Sequence, residues 1–61
     1  MSRTDIALMR IAVWDMAMKV DELRKGELSP EGKRIADLAS ENLKEAHLAL
    51  YCLQLEIDHA G

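Results

Sequence analysis

Helix breakers in this chain are confined to one short segment. Ser2 to Lys25 contains neither glycine nor proline, Gly26, Pro30 and Gly32 lie close together, and nothing interrupts the chain again before Gly61. Punctuation of this kind leaves room for two long helices joined by a tight turn. Ser2-x-x-Asp5 and Thr4 supply N-cap oxygens, and Asp5 adds an acid where the helix dipole favours one, so the first helix is expected over about 4–25. It ends on the cations Arg24 and Lys25, with Gly26 free to take a left-handed C-cap conformation. After a turn over about 26–29, Ser29-Pro30-Glu31 reads as N-cap, first helical residue and dipole-complementing acid. The second helix then spans about 30–59. So short a connection forces the helices antiparallel, making residues 1–61 a single helical-hairpin domain.

Hydrophobic spacing says which sides should meet. Ile6, Met9, Val13, Met16, Val20 and Leu23 alternate at steps of three and four, a continuous seam at 100° per residue. Ala36, Ala39, Leu43, Ala46, Leu50, Leu53 and Ile57 repeat the pattern in the second helix, with alanines that permit close approach. These two seams are expected to pack together. Leu8, Ile11, Trp14 and Met18 then form a second apolar strip, and Leu48, Tyr51, Cys52 and Leu55 form its counterpart beside them at the open end. The loop-proximal half is polar away from the seam, with Asp21, Glu22, Arg24 and Lys25 facing Asp37, Glu41 and Lys44. One end of the hairpin is thus read as solvated and the other as embedded in something else.

A domain of this size buries only about 60% of its unfolded surface, so its own core is marginal. Hydrophobic residues make up 49% of the chain and aromatics only 3%, which favours packed helices over sheet. Covering the second strip by association with another hairpin is the simplest remedy. The expected architecture is all-α, an antiparallel two-helix hairpin paired into a homodimeric four-helix bundle. The eight residues Leu8, Ile11, Trp14, Met18, Leu48, Tyr51, Cys52 and Leu55 are the candidate interface.

Charge narrows the partners. Eleven acids and eight bases are interspersed to a net charge of −3, with no basic block to track a phosphate backbone, so nucleic acid is disfavoured. Arg10, Asp15 and Lys19 interrupt the first apolar stretch, unlike a signal sequence or a membrane span. A single cysteine excludes an intrachain disulfide and suits a reducing, cytoplasmic setting.

Candidate chemistry is sparse. Glu56-x-x-His59 matches a metal-ligand pair of di-iron bundles, but it lies at a terminus and off the seam with no facing carboxylate. It reads as surface polarity. Cys52 lacks a His or Cys at ligand spacing and reads as a buried small apolar residue. His47 is placed to stack on Tyr51 one turn on, and Arg10 to lie over Trp14. No residue is assigned a catalytic role, and no metal or cofactor is implied.

In length, loop position and alternation of small with large core residues, the chain resembles the ROP type of hairpin, which dimerises into a four-helix bundle. The resemblance implies assembly. RNA binding of the ROP kind would need Arg3, Arg10, Lys19, Lys33, Arg34 and Lys44 on one face, and helical angles scatter them. The sequence therefore predicts a small non-catalytic hairpin that self-associates and works as a protein-binding regulator, inhibitor or adaptor. The alternatives are the RNA-binding hairpin dimer and a structural subunit of a larger helical assembly.

Overall fold

The structure, a computed structural model, describes residues 2–60. It is all-helical over that range, with α1 (Arg3–Arg24) and α2 (Pro30–Ala60) packed side by side as a rod with extents of 48 × 14 × 13 Å. Local chemistry explains both helix starts. The Ser2 hydroxyl accepts from the Asp5 N–H at 3.2 Å while the Asp5 carboxylate accepts from the Ser2 N–H at 3.1 Å, closing a reciprocal capping box. In α2 the Ser29 hydroxyl accepts from the Gly32 N–H at 3.0 Å, with Pro30 as first helical residue.

The end of α1 differs from expectation. Gly26 does not enter the left-handed region, and Lys25 is the C-cap with φ −78° and ψ −14°. The last turn tightens instead, as the N–H groups of Lys25 and Gly26 donate to the carbonyls of Glu22 and Leu23 at 3.2 and 3.1 Å. Bonds of this i→i−3 kind satisfy the final carbonyls without reversing φ. Gly61, read as the stop for the second helix, lies outside the described residues.

Contacts between the helices fix their register. Arg3 pairs with Asp58, Arg10 covers Tyr51, Trp14 meets His47, Asp21 accepts from Ser40 and Arg24 pairs with Asp37, and in each the two residue numbers total 61. Residue i of α1 therefore lies level with residue 61 − i of α2, and the helices run antiparallel.

The expected seam is only half right. Ile6, Val13 and Val20 of α1 and Ala36, Leu43, Leu50 and Ile57 of α2 do lie inward, buried or half-buried. Their companions change. In α1 the positions beside them are Arg10, Ala17 and Arg24 rather than Met9, Met16 and Leu23, which are 40%, 47% and 63% exposed. In α2 they are Ser40, His47 and Gln54, while Ala46 and Leu53 are exposed and Ala39 half-buried. Each helix is turned by roughly 60° from the orientation that would aim its apolar arc at the other, given 100° per residue. Polar reach accounts for the turn. Long arginines span the gap to Asp58, Gln54 and Asp37, and the small Ala17 and Ser40 are almost fully covered at 0% and 1% exposure.

Candidate interaction surface

The rotation gives the two long edges of the hairpin different chemistry. One edge is a polar ladder that runs its whole length. Arg3 Nε meets Asp58 Oδ1 at 2.9 Å, and Arg10 Nη1 donates to Gln54 Oε1 at 2.7 Å. The Ser40 hydroxyl donates to Asp21 Oδ1 at 2.8 Å, Lys44 Nζ stands 3.4 Å from Asp21 Oδ2, and Arg24 Nε meets Asp37 Oδ1 at 2.7 Å. The Ser40 hydroxyl above all, with Lys44 and Arg24, holds the Asp21 carboxyl below its ordinary value, against a smaller upward push from burial.

In the middle of this edge stands an aromatic and cationic cluster. The Trp14 and His47 ring centres are 5.0 Å apart at 51°, and the Arg10 guanidinium lies 4.7 Å from the centre of the Tyr51 ring. The pairs expected from sequence, His47 with Tyr51 and Arg10 with Trp14, are thus exchanged. Side chains one turn apart on one helix can meet, but here each ring finds its partner on the other helix. Arg10 Nε is buried without a hydrogen-bond partner, which leaves part of this cluster unsatisfied. Ala7, Arg10, Ile11, Trp14, Asp15 and His47 line a shallow groove of about 430 Å³ here.

All eight residues of the candidate interface are exposed. Ile11, Trp14, Met18, Leu48, Tyr51 and Leu55 lie on or just outside the polar-ladder edge by helical angle, with Leu8 and Cys52 further round towards solvent. Cys52, read as a buried packing residue, is an exposed free thiol. Towards the loop the same side becomes a charged groove of about 740 Å³, with Asp21, Glu22, Lys25, Lys33, Asp37 and Lys44 among its lining residues. The charged residues read from the sequence for the loop end gather there, but Leu23, Ile35 and Leu38 of the same half are 63%, 56% and 56% exposed, so apolar surface is not confined to the open end.

The opposite edge is the surface that hydropathy assigned to the interior. Met9, Met16 and Leu23 recur at seven-residue steps on α1, and Ala39, Ala46 and Leu53 recur likewise on α2. By the register these rows lie side by side, with Ala12 and Ala49 level with each other just outside them. Neither row holds a charge. A sequence signal for this arrangement existed in the heptad spacing of Arg3, Arg10 and Arg24, which marks the polar edge of α1.

Other chemistry is thin. Glu56 and His59 are exposed, and among the described residues no three His, Cys, Asp or Glu side chains gather where they could hold a metal ion. Of the six cations an RNA-binding face would need, Arg3, Lys19, Arg34 and Lys44 pair with acids of this chain and Arg10 is committed to Gln54 and Tyr51. Among the described residues, no helix is long and apolar enough to cross a membrane. Comparison with protein families, with curated proteins and with solved structures finds no match for this chain.

Proposed function

We propose that this protein is a non-catalytic, cytoplasmic helical hairpin that self-associates into a four-helix bundle and acts as a protein-binding regulator, inhibitor or adaptor. The observation that carries this reading is the distribution of apolar surface. Among the described residues only Ile6 and Ala17 are buried apolar side chains, while thirteen large ones are 39% exposed or more. These side chains are spread over both long edges of the hairpin, and large exposed apolar patches mark sites of association.

The turn of the helices supports the same conclusion. In a two-helix unit that works alone, each apolar arc gains most by pointing at the other helix. In a four-helix bundle each helix touches two neighbours, so the arc is best centred between them. The arcs here point to the side of the hairpin, which suits the bundle. With one edge covered by a second copy, the Ile11, Trp14, Leu48, Tyr51 and Leu55 side remains available to a different protein, and its aromatic residues suit an interface anchor.

Sedimentation equilibrium between about 1 and 100 μM tests the reading, a range that detects association worth about 6–8 kcal/mol or more. A dimer mass is expected. A folded monomer across that range overturns it. Partner binding is then tested by affinity capture from the source cell, where Trp14→Ala is expected to lose the captured protein and keep the dimer.

A further inference from the structure

From the two edges we infer that the second copy seats on the Met9, Met16, Leu53 edge, across a two-fold axis near Ala12 and Ala49, so that α1 packs antiparallel on α1 and α2 on α2. This rests on the self-association reading and adds which face is used and in which orientation. Four features of the edge point to a copy of this chain.

The first is area. One long face of a rod with 4657 Å² of surface takes roughly a quarter of it, on the order of 1,100 Å², against about 800 Å² per partner in a stable interface. The second is level. Ala12 and Ala49 stand at the same height on the two helices, so one axis perpendicular to the rod passes both. Small residues at the axis let both helix pairs approach closely.

Size matching away from the axis is the third. On α2, Leu53 of one copy falls within one residue of the level of Ala46 of the other, and on α1 Met9 falls within one residue of the level of Met16, whose unbranched side chains adapt to one another. Charge is the fourth. The same axis sets Asp5 of one copy opposite Lys19 of the other, which also pairs with Asp15 of its own helix, and Glu56 opposite Asn42, at the rim of the apolar rows. A two-fold axis along the rod would instead put Asp5 beside Glu56 of the second copy, two like charges, and leave Lys19 facing Asn42. Electrostatic complementarity therefore selects loops at opposite ends.

The test uses the full chain with Cys52→Ser as background. Ala12→Cys is expected to form a disulfide-linked dimer under mild oxidation, while Leu48→Cys, on the other edge, is not. In parallel, Met16→Glu is expected to raise the dimer dissociation constant by on the order of 100-fold, because it buries an unpaired charge, and Ile11→Glu to leave it unchanged. Met16 is half-exposed in the hairpin, and circular dichroism checks that the variant stays helical. Cross-linking at position 48 in place of 12, no cross-link at 12 in a protein of dimer mass, or an undiminished dimer with Met16→Glu would overturn the inference while self-association stands. A monomeric parent chain removes both.

Discussion

The Ser40 hydroxyl donates to the Asp21 carboxylate at 2.8 Å, and Ser40, 1% exposed, is the most covered polar residue of the described chain. Asp21 also receives Lys44 of α2 and Arg24 of its own helix, so one carboxylate ties the last turn of α1 to α2. These partners favour its charged form and depress its pKa. A group with a folded pKa below its unfolded value stabilises the fold above the unfolded pKa and loses that contribution as pH falls through the folded one. Stability is therefore expected to fall on acidification below the ordinary aspartate value of 3.8, as followed by thermal melts at neutral pH and in steps below it. Asp21→Asn should lower the melting temperature at neutral pH and narrow the gap to the acidic melt. An unchanged gap would show that other carboxylates govern the acid response.

Trp14 is the one tryptophan, 44% exposed and in contact with His47, which makes it a reporter for one edge. If a second copy covers the Met16 edge, dilution through the dimer–monomer transition should leave the Trp14 emission maximum where it is. A red shift on dilution would mean that the aromatic edge is covered in the dimer. A partner protein on the aromatic edge should instead shift the emission to the blue, as burial of an indole does.

Much of the fold is legible in the sequence because local chemistry decides it. Ser2 with Asp5, and Ser29 with Pro30, are start signals whose hydrogen bonds lie within one turn, and they appear where the residue types place them. The orientation of the helices about their own axes is not decided locally. Hydropathy treats Arg10, Arg24, His47 and Gln54 as surface residues, yet each is half-buried between the helices with its polar end engaged across the gap or its ring stacked. Met9 and Met16 read as core for the same reason and are displaced outward. The conformation of Gly26 was equally hidden, since closing the last turn of α1 by i→i−3 bonds depends on the path of the chain to Ser29. Of the candidate interface, the helical angles make the strip legible but not the exposure of Cys52, which reads as buried packing, and the opposite apolar edge stays hidden because hydropathy assigns it to the interior.

Nucleic acid binding is expected to be weak and non-specific. With Arg3, Lys19, Arg34 and Lys44 each held by an acid of the same chain, phosphate would have to compete for charges already paired. Mobility-shift titrations with RNA and DNA at 50 and 200 mM salt check this. A protein making several phosphate contacts loses orders of magnitude in affinity over that range, about 10³-fold or more for six contacts. Tight binding at low salt with such a loss would restore the RNA-binding alternative.

Arg10 gives the sharpest test of why the helices are turned. It is half-buried, its Nη1 is bound by Gln54, its guanidinium lies on Tyr51 and its Nε has no partner. Replacing both members of a covered polar contact by apolar side chains of similar size is often neutral or stabilising, whereas truncating one leaves a gap and an orphaned partner. Arg10→Met with Gln54→Leu should therefore cost less than Arg10→Ala, which should lose about 1–3 kcal/mol in urea unfolding at fixed protein concentration. The polar ladder would then serve to aim the apolar arcs sideways rather than to hold the helices together, and the double variant, lacking that guide, should self-associate more weakly in sedimentation. Equal destabilisation by the double variant and by Arg10→Ala would show instead that the guanidinium contacts themselves hold α1 to α2.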